Sequence, residues 1–252
     1  MEEGLVLSHE DCPVTGSAEY DAMAPRREAY MAITGGVAWL ANMTFPQLAY
    51  VVAQLSRFIA NPGEKHFHAA LRVLVYLRGC ESYAFVYAPD AARGFETFVD
   101  SSWLPSFSCS GALCFYHGCP FHWFAKTQRS VTLSSAEAEY FGAMLAAKEV
   151  MFVRDLLFDL NALASGPSVI FCDSKSAVDM AYDPVSFKKT KHIMRAAEFL
   201  RDLVAREVCS MQHVAGAVML ADLMTKAQAR PVFLALMRLL AAYAATGRAV
   251  VS

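Results

Sequence analysis

The order in which strand and helix patterns follow one another limits the fold more than any other feature of this chain. Phe95–Val99 alternates in polarity and reads as a strand ending at Asp100. Ser110–Tyr116 and Phe121–Ala125 flank Gly118-Cys119-Pro120 and read as a hairpin. A long helical pattern runs from Ser135 to about Leu160. Val169–Cys172 is a short continuous apolar run, as a strand covered on both faces requires. Helical segments at Ser174–Ala181 and Thr190–Ala205, a strand near Val208–Val214, and a last helix from about Ala217 towards Ala245 with a break at Pro231 complete the series. Three strands, a helix, a strand, helices, a strand and a helix make a mixed-sheet α/β pattern rather than an all-parallel one.

Upstream the pattern is helical: Arg26–Met43, Phe45–Ala60, then Glu64–Arg78 after the Asn61-Pro62-Gly63 break, with a possible strand at Ser82–Ala88. The first 25 residues hold six acidic groups and no basic one, which predicts a mobile acidic lead-in. The expected divisions are therefore 1–25, a lead-in; 26–92, a small helical segment; 93–247, an α/β domain with its C-terminal helix; and 248–252, a tail.

Composition raises a membrane question, because 56% of the 252 residues are hydrophobic, only 18% are charged, and the mean hydropathy is +0.30. Tyr30–Ser56 and Trp103–Ala125 lack formal charge, but Gly35-Gly36, Asn42 and Pro46 punctuate the first, and Pro105, Gly111, Gly118 and Pro120 the second. A spanning helix needs about 20 predominantly apolar residues. Two short buried helices and a buried hairpin are the better reading, with no membrane segment. Met1-Glu2-Glu3-Gly4 offers no basic signal-peptide start, so an intracellular location, in cytoplasm or nucleus, is expected. The seven cysteines form no Cys-x-x-Cys pair, and the even spacing of Cys109, Cys114 and Cys119 would send strand side chains to opposite faces. Buried thiols fit better than a metal site there. A net charge of −2 excludes a generically basic nucleic-acid coat but not a local basic face.

The informative residues are acids in apolar surroundings. Asp100 and Asp173 each close a strand, where a fixed backbone can present a carboxylate to a cleft. For Asp173, capping the helix that Ser174 begins is a competing role. Ser134-Ser135-Ala136-Glu137 fits a capping box, which gives Glu137 a structural task beside the solvent-facing Lys148 and Asp155. Glu139 instead heads the apolar stripe Ala143, Ala146, Val150, Val153, Leu157 and Leu160, and so faces the sheet. A buried acid without a cation costs several kcal/mol, about 3–5 for a broken buried pair, and a metal removes that cost. Asp222, in Leu220-Ala221-Asp222-Leu223-Met224-Thr225-Lys226, is either an exposed first-turn acid or a fourth member of the set. Clustered carboxylates favour hard cations such as Mg²⁺ or Mn²⁺. No phosphate-binding loop and no Gly-x-Ser-x-Gly elbow is present, so neither nucleotide hydrolysis by that route nor acyl transfer has support.

Val131-Thr132-Leu133-Ser134-Ser135-Ala136-Glu137-Ala138-Glu139-Tyr140 resembles the helix-opening motif of the ribonuclease H region in copia-type retrotransposon Pol polyproteins. Cys172-Asp173-Ser174-Lys175-Ser176-Ala177, Thr190-Lys191-His192-Ile193 and the Leu220–Lys226 run match its later motifs in order. Upstream, Ala49–Phe58 and Ala70–Gly79 resemble the segment that connects reverse transcriptase to ribonuclease H, and the likeness covers roughly residues 26–240. It implies a ribonuclease H-like mixed five-stranded sheet flanked by helices and preceded by a small helical segment. It also implies two Mg²⁺ or Mn²⁺ ions held by Asp100, Glu139, Asp173 and Asp222, and endonucleolytic cleavage of RNA in an RNA–DNA hybrid to 5′-phosphate and 3′-hydroxyl ends. The implied partners are that hybrid and, if it is encoded upstream, the reverse transcriptase portion of the same polyprotein. The chain departs from the motifs at Ser102, where the family usually has a second acid, at Met194, and at Thr44-Phe45-Pro46-Gln47; it has no Tyr-x-Asp-Asp element for polymerisation.

Residues 95–247 carry as many basic as acidic side chains, but Lys188–Arg206 is locally basic. Lys188, Lys189, Lys191 and His192, crowded before a helix, and Ser135 at the start of the long helix are the candidate nucleic-acid contacts. Arg201 and Arg206 fit a solvated helix face nearly as well, and Trp103 and Trp123 fit core packing better than base stacking. The alternative to an enzyme is a catalytically silent fragment that only binds nucleic acid or a polyprotein partner.

Overall fold

A computed structural model describes residues 4–81, 84–104, 107–128, 134–183 and 191–246. The chain divides into two compact units, Met1–Ala84 with Ala227–Val232, and Phe85–Lys226 with Phe233–Ser252.

The first unit is built on α1 (Ala18–Met43), α2 (Ala49–Ser56) and α3 (Glu64–Arg78). Helix α1 begins eight residues before the expected Arg26, because Ser17 caps it by accepting from Tyr20 N at 3.1 Å; Pro25 lies inside the helix. Thr44 and the 3-10 turn Pro46–Leu48 break the uncharged Tyr30–Ser56 stretch, so α2 is shorter than the expected Phe45–Ala60. Tyr30 is fully buried among Leu48, Leu55, Phe58 and Ala70, and its hydroxyl donates to Leu55 O at 2.8 Å. His66 accepts from Gly63 N at 2.9 Å at the start of α3 and stacks on Phe58. The expected loose lead-in is packed: Leu7 is buried in this core, Asp11 takes Lys65 Nζ at 3.1 Å, and Asn61 Nδ2 donates to Pro13 O. Among the described residues no helix is long and apolar enough to cross a membrane.

The second unit holds the mixed five-stranded sheet. Its strands are β1 (Phe95–Leu104), β2 (Phe107–Tyr116), β3 (Cys119–Thr127), β4 (Ser168–Cys172) and β5 (Cys209–His213), in the order β3-β2-β1-β4-β5. The β1–β2 and β2–β3 pairs are antiparallel, and β1–β4 and β4–β5 are parallel. This is the ribonuclease H-like arrangement. The helices are α4 (Ser135–Asp159), α5 (Lys175–Tyr182), α6 (Lys191–Ala205), α7 (Asp222–Thr225) and α8 (Arg230–Thr246). The expected last helix from Ala217 is thus a 3-10 turn at Gly216–Val218, then α7 and α8. The expected strand near Ser82–Ala88 is not formed over 84–88; Ala88 N instead bonds Ala244 O at 3.2 Å.

Helix α4 buries Ala143, Ala146, Val150, Val153 and Leu157 against Val99, Ala112, Ile170 and Cys172, as its stripe predicts, while Leu160 falls beyond the helix and is exposed. The fit is close: a Cβ added at Gly142 would lie 2.1 Å from Ser101 Oγ. Tyr243 of α8 packs among Phe98 and Phe115, its hydroxyl donates to Glu96, and the Arg93 guanidinium lies over its ring.

Candidate metal centre

Strand β1 does not stop at Asp100, contrary to the sequence reading. It continues to Leu104 because Ser101, Ser102 and Trp103 keep their pairing with β2, opposite Ser110, Cys109 and Ser108. The polar side chains are satisfied there: Ser101 and Ser110 share a 2.9 Å hydrogen bond, and Ser102 Oγ donates to Thr225 O at 2.8 Å. What does stop is the parallel pairing. Its last register pair is Val99 with Cys172, so Asp100 in β1 and Asp173 just after β4 come next, side by side. Carboxyl ends of parallel strands are where open α/β sheets bind ligands.

Asp100 is 2% exposed. It faces Gly111 across the ladder, and the space left by that glycine is filled by α7: a Cβ on Gly111 would meet Met224 Cβ at 2.3 Å and Thr225 Cγ2 at 2.9 Å. This close approach brings Asp222 to Asp100. Thr225, fully buried, donates its hydroxyl to Asp100 Oδ2. Lys226 Nζ sits 2.7 Å from Asp222 Oδ1 and 3.5 Å from Asp100 Oδ2. Asp222 is therefore no exposed first-turn acid; its side chain is 15% exposed. Nor does Asp173 cap α5, because Ser174 Oγ does so by accepting from Ala177 N.

Ligand oxygens of Asp100, Asp173 and Asp222 lie within 4.8 Å of one another, and Glu139, Cys172 and Asp173 form a second such group. Asp173 joins the two. Glu139, on α4, is thus brought to the cluster as its stripe predicts. The expectation for Glu137 is corrected: it is buried, not solvent-facing. Ser134 Oγ accepts from Glu137 N, which is the N-cap half of the expected box, while Gln128, just after β3, donates to Ala138 O and covers that side of the helix.

Electrostatics mark the cluster as short of positive charge. Burial, then the charges of Asp100 and Asp173, pushes Glu139 up to about 9. Burial and Asp100 raise Asp222 to about 7, and the same two causes raise Asp173. Burial alone would lower Lys226, but Asp100 and Asp222 outweigh it and hold the ammonium charged. Acids that retain protons near neutrality in a cleft are a functional-site signature. The donor set fits a hard cation, since carboxylate oxygens suit Mg²⁺ or Mn²⁺. Cys172 does not join it: burial raises its thiol well above the usual range, and its sulfur accepts from Ser174 N.

Three participants escaped the sequence reading. Lys226 is four residues after Asp222, a spacing that marks a helical ion pair. Thr225 carried no signal of its own. His213, at the end of β5, has Nε2 3.1 Å from Asp173 O.

Of the candidate nucleic-acid contacts, Ser135 is exposed at the start of α4. Lys188 and Lys189 lie outside the described residues, as do the side chains of Lys191 and His192, whose backbone opens α6. Arg206, just after α6, pairs with Asp202 of that helix, and both side chains are exposed. Trp103, expected in the core, is 44% exposed near the end of β1.

No family model matches the chain. Among solved structures, LC11-RNase H1 in complex with an RNA/DNA hybrid aligns with a TM-score of 0.42 and 14% identity, over 52% of this chain and 93% of that one. The retrovirus-related Pol polyprotein from transposon RE2 of Arabidopsis thaliana is 30% identical over 213 residues, 83% of this chain. That from transposon TNT 1-94 of Nicotiana tabacum is 30% identical over 232 residues, 91% of this chain. The chain spans only 15% and 17% of the length of these two relatives. By sequence the chain belongs with the copia-type retrovirus-related Pol polyproteins, and its sheet-bearing unit is a ribonuclease H-like domain.

Proposed function

We propose that the second unit is a metal-dependent ribonuclease that cuts the RNA strand of RNA–DNA hybrids, with Asp100, Glu139, Asp173 and Asp222 as its metal ligands. The observation that carries this reading is the convergence of acids from β1, the end of β4, α4 and α7 on one place. Two divalent ions held there would lower the pKa of an attacking water and stabilise the leaving 3′ oxygen of the scissile phosphodiester. The protein's own part is to hold the carboxylates before substrate arrives. Asp100 is fixed by the ladder and by Thr225, Asp173 by its place after β4, and apolar walls keep the local dielectric low. Ser135, Lys188, Lys189, Lys191 and His192 are the proposed phosphate contacts, and preference for RNA would come from 2′-hydroxyls across the hybrid's minor groove. The helical first unit is proposed as the connection to a polymerase portion of the same polyprotein.

The alternative, a silent fragment that only binds nucleic acid or a polyprotein partner, is favoured by position 102. A serine stands there and uses its hydroxyl to bond Thr225 O. The deciding assay incubates the full chain with a labelled RNA–DNA hybrid and Mg²⁺ or Mn²⁺, beside Asp173→Asn. RNA cleavage to 5′-phosphate ends, lost in the folded variant, supports the enzyme. A folded wild-type chain that binds the hybrid without cutting it establishes the silent reading.

A further inference from the structure

We infer that Lys226 is a tethered counter-ion that a divalent cation must displace from the Asp100–Asp222 pair, an inference that rests on the metal-binding reading above. The ammonium lies 2.7 Å from Asp222 Oδ1 and 3.5 Å from Asp100 Oδ2. Those carboxylates share, with Asp173, a space only 4.8 Å across, so the ammonium sits among the oxygens a metal would use. A divalent cation sharing both carboxylates would press against the ammonium, and in a poorly screened cleft like charges repel strongly.

The two sides of this contact differ in freedom. Asp100 is held by a ten-residue strand and a buried threonine, and its side chain is 3% exposed. Asp222 is nearly as enclosed. Lys226 follows the last residue of α7 with an extended backbone, and its side chain is 41% exposed. A four-carbon stem leading to a strongly hydrated head can swing into water at little cost. The lysine therefore leaves, and the acids stay. Without metal it neutralises part of the carboxylate cluster and ties α7 to β1. With metal that task passes to the stronger cation, and the net affinity for metal is lowered by the cost of releasing the lysine.

The test measures Mn²⁺ binding to the full chain by the paramagnetic resonance of the free ion, for the wild type, Lys226→Met and Lys226→Arg. Lys226→Met should bind Mn²⁺ more tightly by about tenfold or more, the factor that 1.4 kcal/mol of coupling gives, and should melt lower than the wild type when metal-free. Lys226→Arg keeps the charge and should bind like the wild type. A second measurement needs no folded Met variant: in nitrogen-15-lysine spectra of the wild type, the Nζ signal that Lys226→Arg removes should shift on Mg²⁺ titration. Equal or weaker Mn²⁺ binding by Lys226→Met, or a Lys226 signal indifferent to Mg²⁺, overturns the counter-ion role while leaving the metal site standing. Absence of Mn²⁺ binding in both the wild type and Lys226→Met overturns the metal reading itself.

Discussion

Gly111→Ala is the sharpest probe of how the acid cluster is assembled. The new methyl would sit 2.3 Å from Met224 Cβ, 2.9 Å from Thr225 Cγ2 and 3.2 Å from the Met224 carbonyl carbon. Carbon atoms pack at about 3.5–4.0 Å, so α7 would have to retreat by about 1.2 Å or more. Met224 and Thr225 are fully buried, which leaves no side-chain rotation to absorb the clash. Overpacking of this kind costs about 1–3 kcal/mol. The retreat also breaks the bond from Thr225 to the Asp100 carboxylate, and bonds to charged groups contribute about 1.5–3 kcal/mol. The two losses overlap, and about 3 kcal/mol together lowers the melting temperature of a domain this size by about 6–12 °C. Asp222 moves with α7, and a misplacement of about 1 Å reduces cleavage by about a hundredfold. Calorimetry and hybrid cleavage measure both. Gly94→Ala is the control, because its added methyl meets only Ala164 Cβ at 3.4 Å. A Gly111→Ala protein that melts and cleaves like the wild type would refute the tight β2–α7 approach and the site geometry derived from it.

The metal-free protein should lose stability as pH rises. Asp222 and Glu139 are raised to about 7 and about 9, so the folded state binds more protons than the unfolded one above the ordinary carboxylate range. That stability is fully present below the unfolded pKa values and is lost as pH climbs through the folded ones. Melting temperatures in a chelator should therefore fall from pH 5 to pH 9, about the span of those shifts, and Mg²⁺ should flatten the slope. An unchanged slope with Mg²⁺ would count against these acids as ligands. Ser134→Ala removes the cap that accepts from Glu137 N and should cost about 1 kcal/mol in a denaturant titration, loosening the turn that carries Glu139.

The parts of the fold that the sequence revealed are those set by local period. The sheet-facing stripe of α4 holds from Ala143 to Leu157, and the apolar run Val169–Cys172 lies in β4, although there Ile170 and Cys172 are buried while Val169 and Phe171 are only half-buried. What it concealed depends on partners distant in the chain. Ser101 and Ser102 look like the end of a strand until Ser110 and Thr225 O satisfy them, which is why Asp100 proved to be internal to β1. Glu137 looked solvated because its stripe leads to Lys148 and Asp155, yet it is buried at the start of α4, which its own helical period does not reveal. In the site, each acid was legible as a charge in apolar surroundings. Lys226 was visible only as a neighbour of Asp222, since the approach of α7 to Gly111 is a tertiary fact.

The bond between Thr225 and Asp100 spans 125 positions of the chain. During synthesis at about 5–20 residues per second, Asp100 emerges roughly 6–25 s before the segment that will complete its surroundings. Until that segment is made, Asp100 lacks the Thr225 hydroxyl that holds it and the neighbouring Asp222 carboxylate. If the proposed metal site forms, its affinity would also report that the C-terminal segment carrying Asp222 and Thr225 has docked on β1.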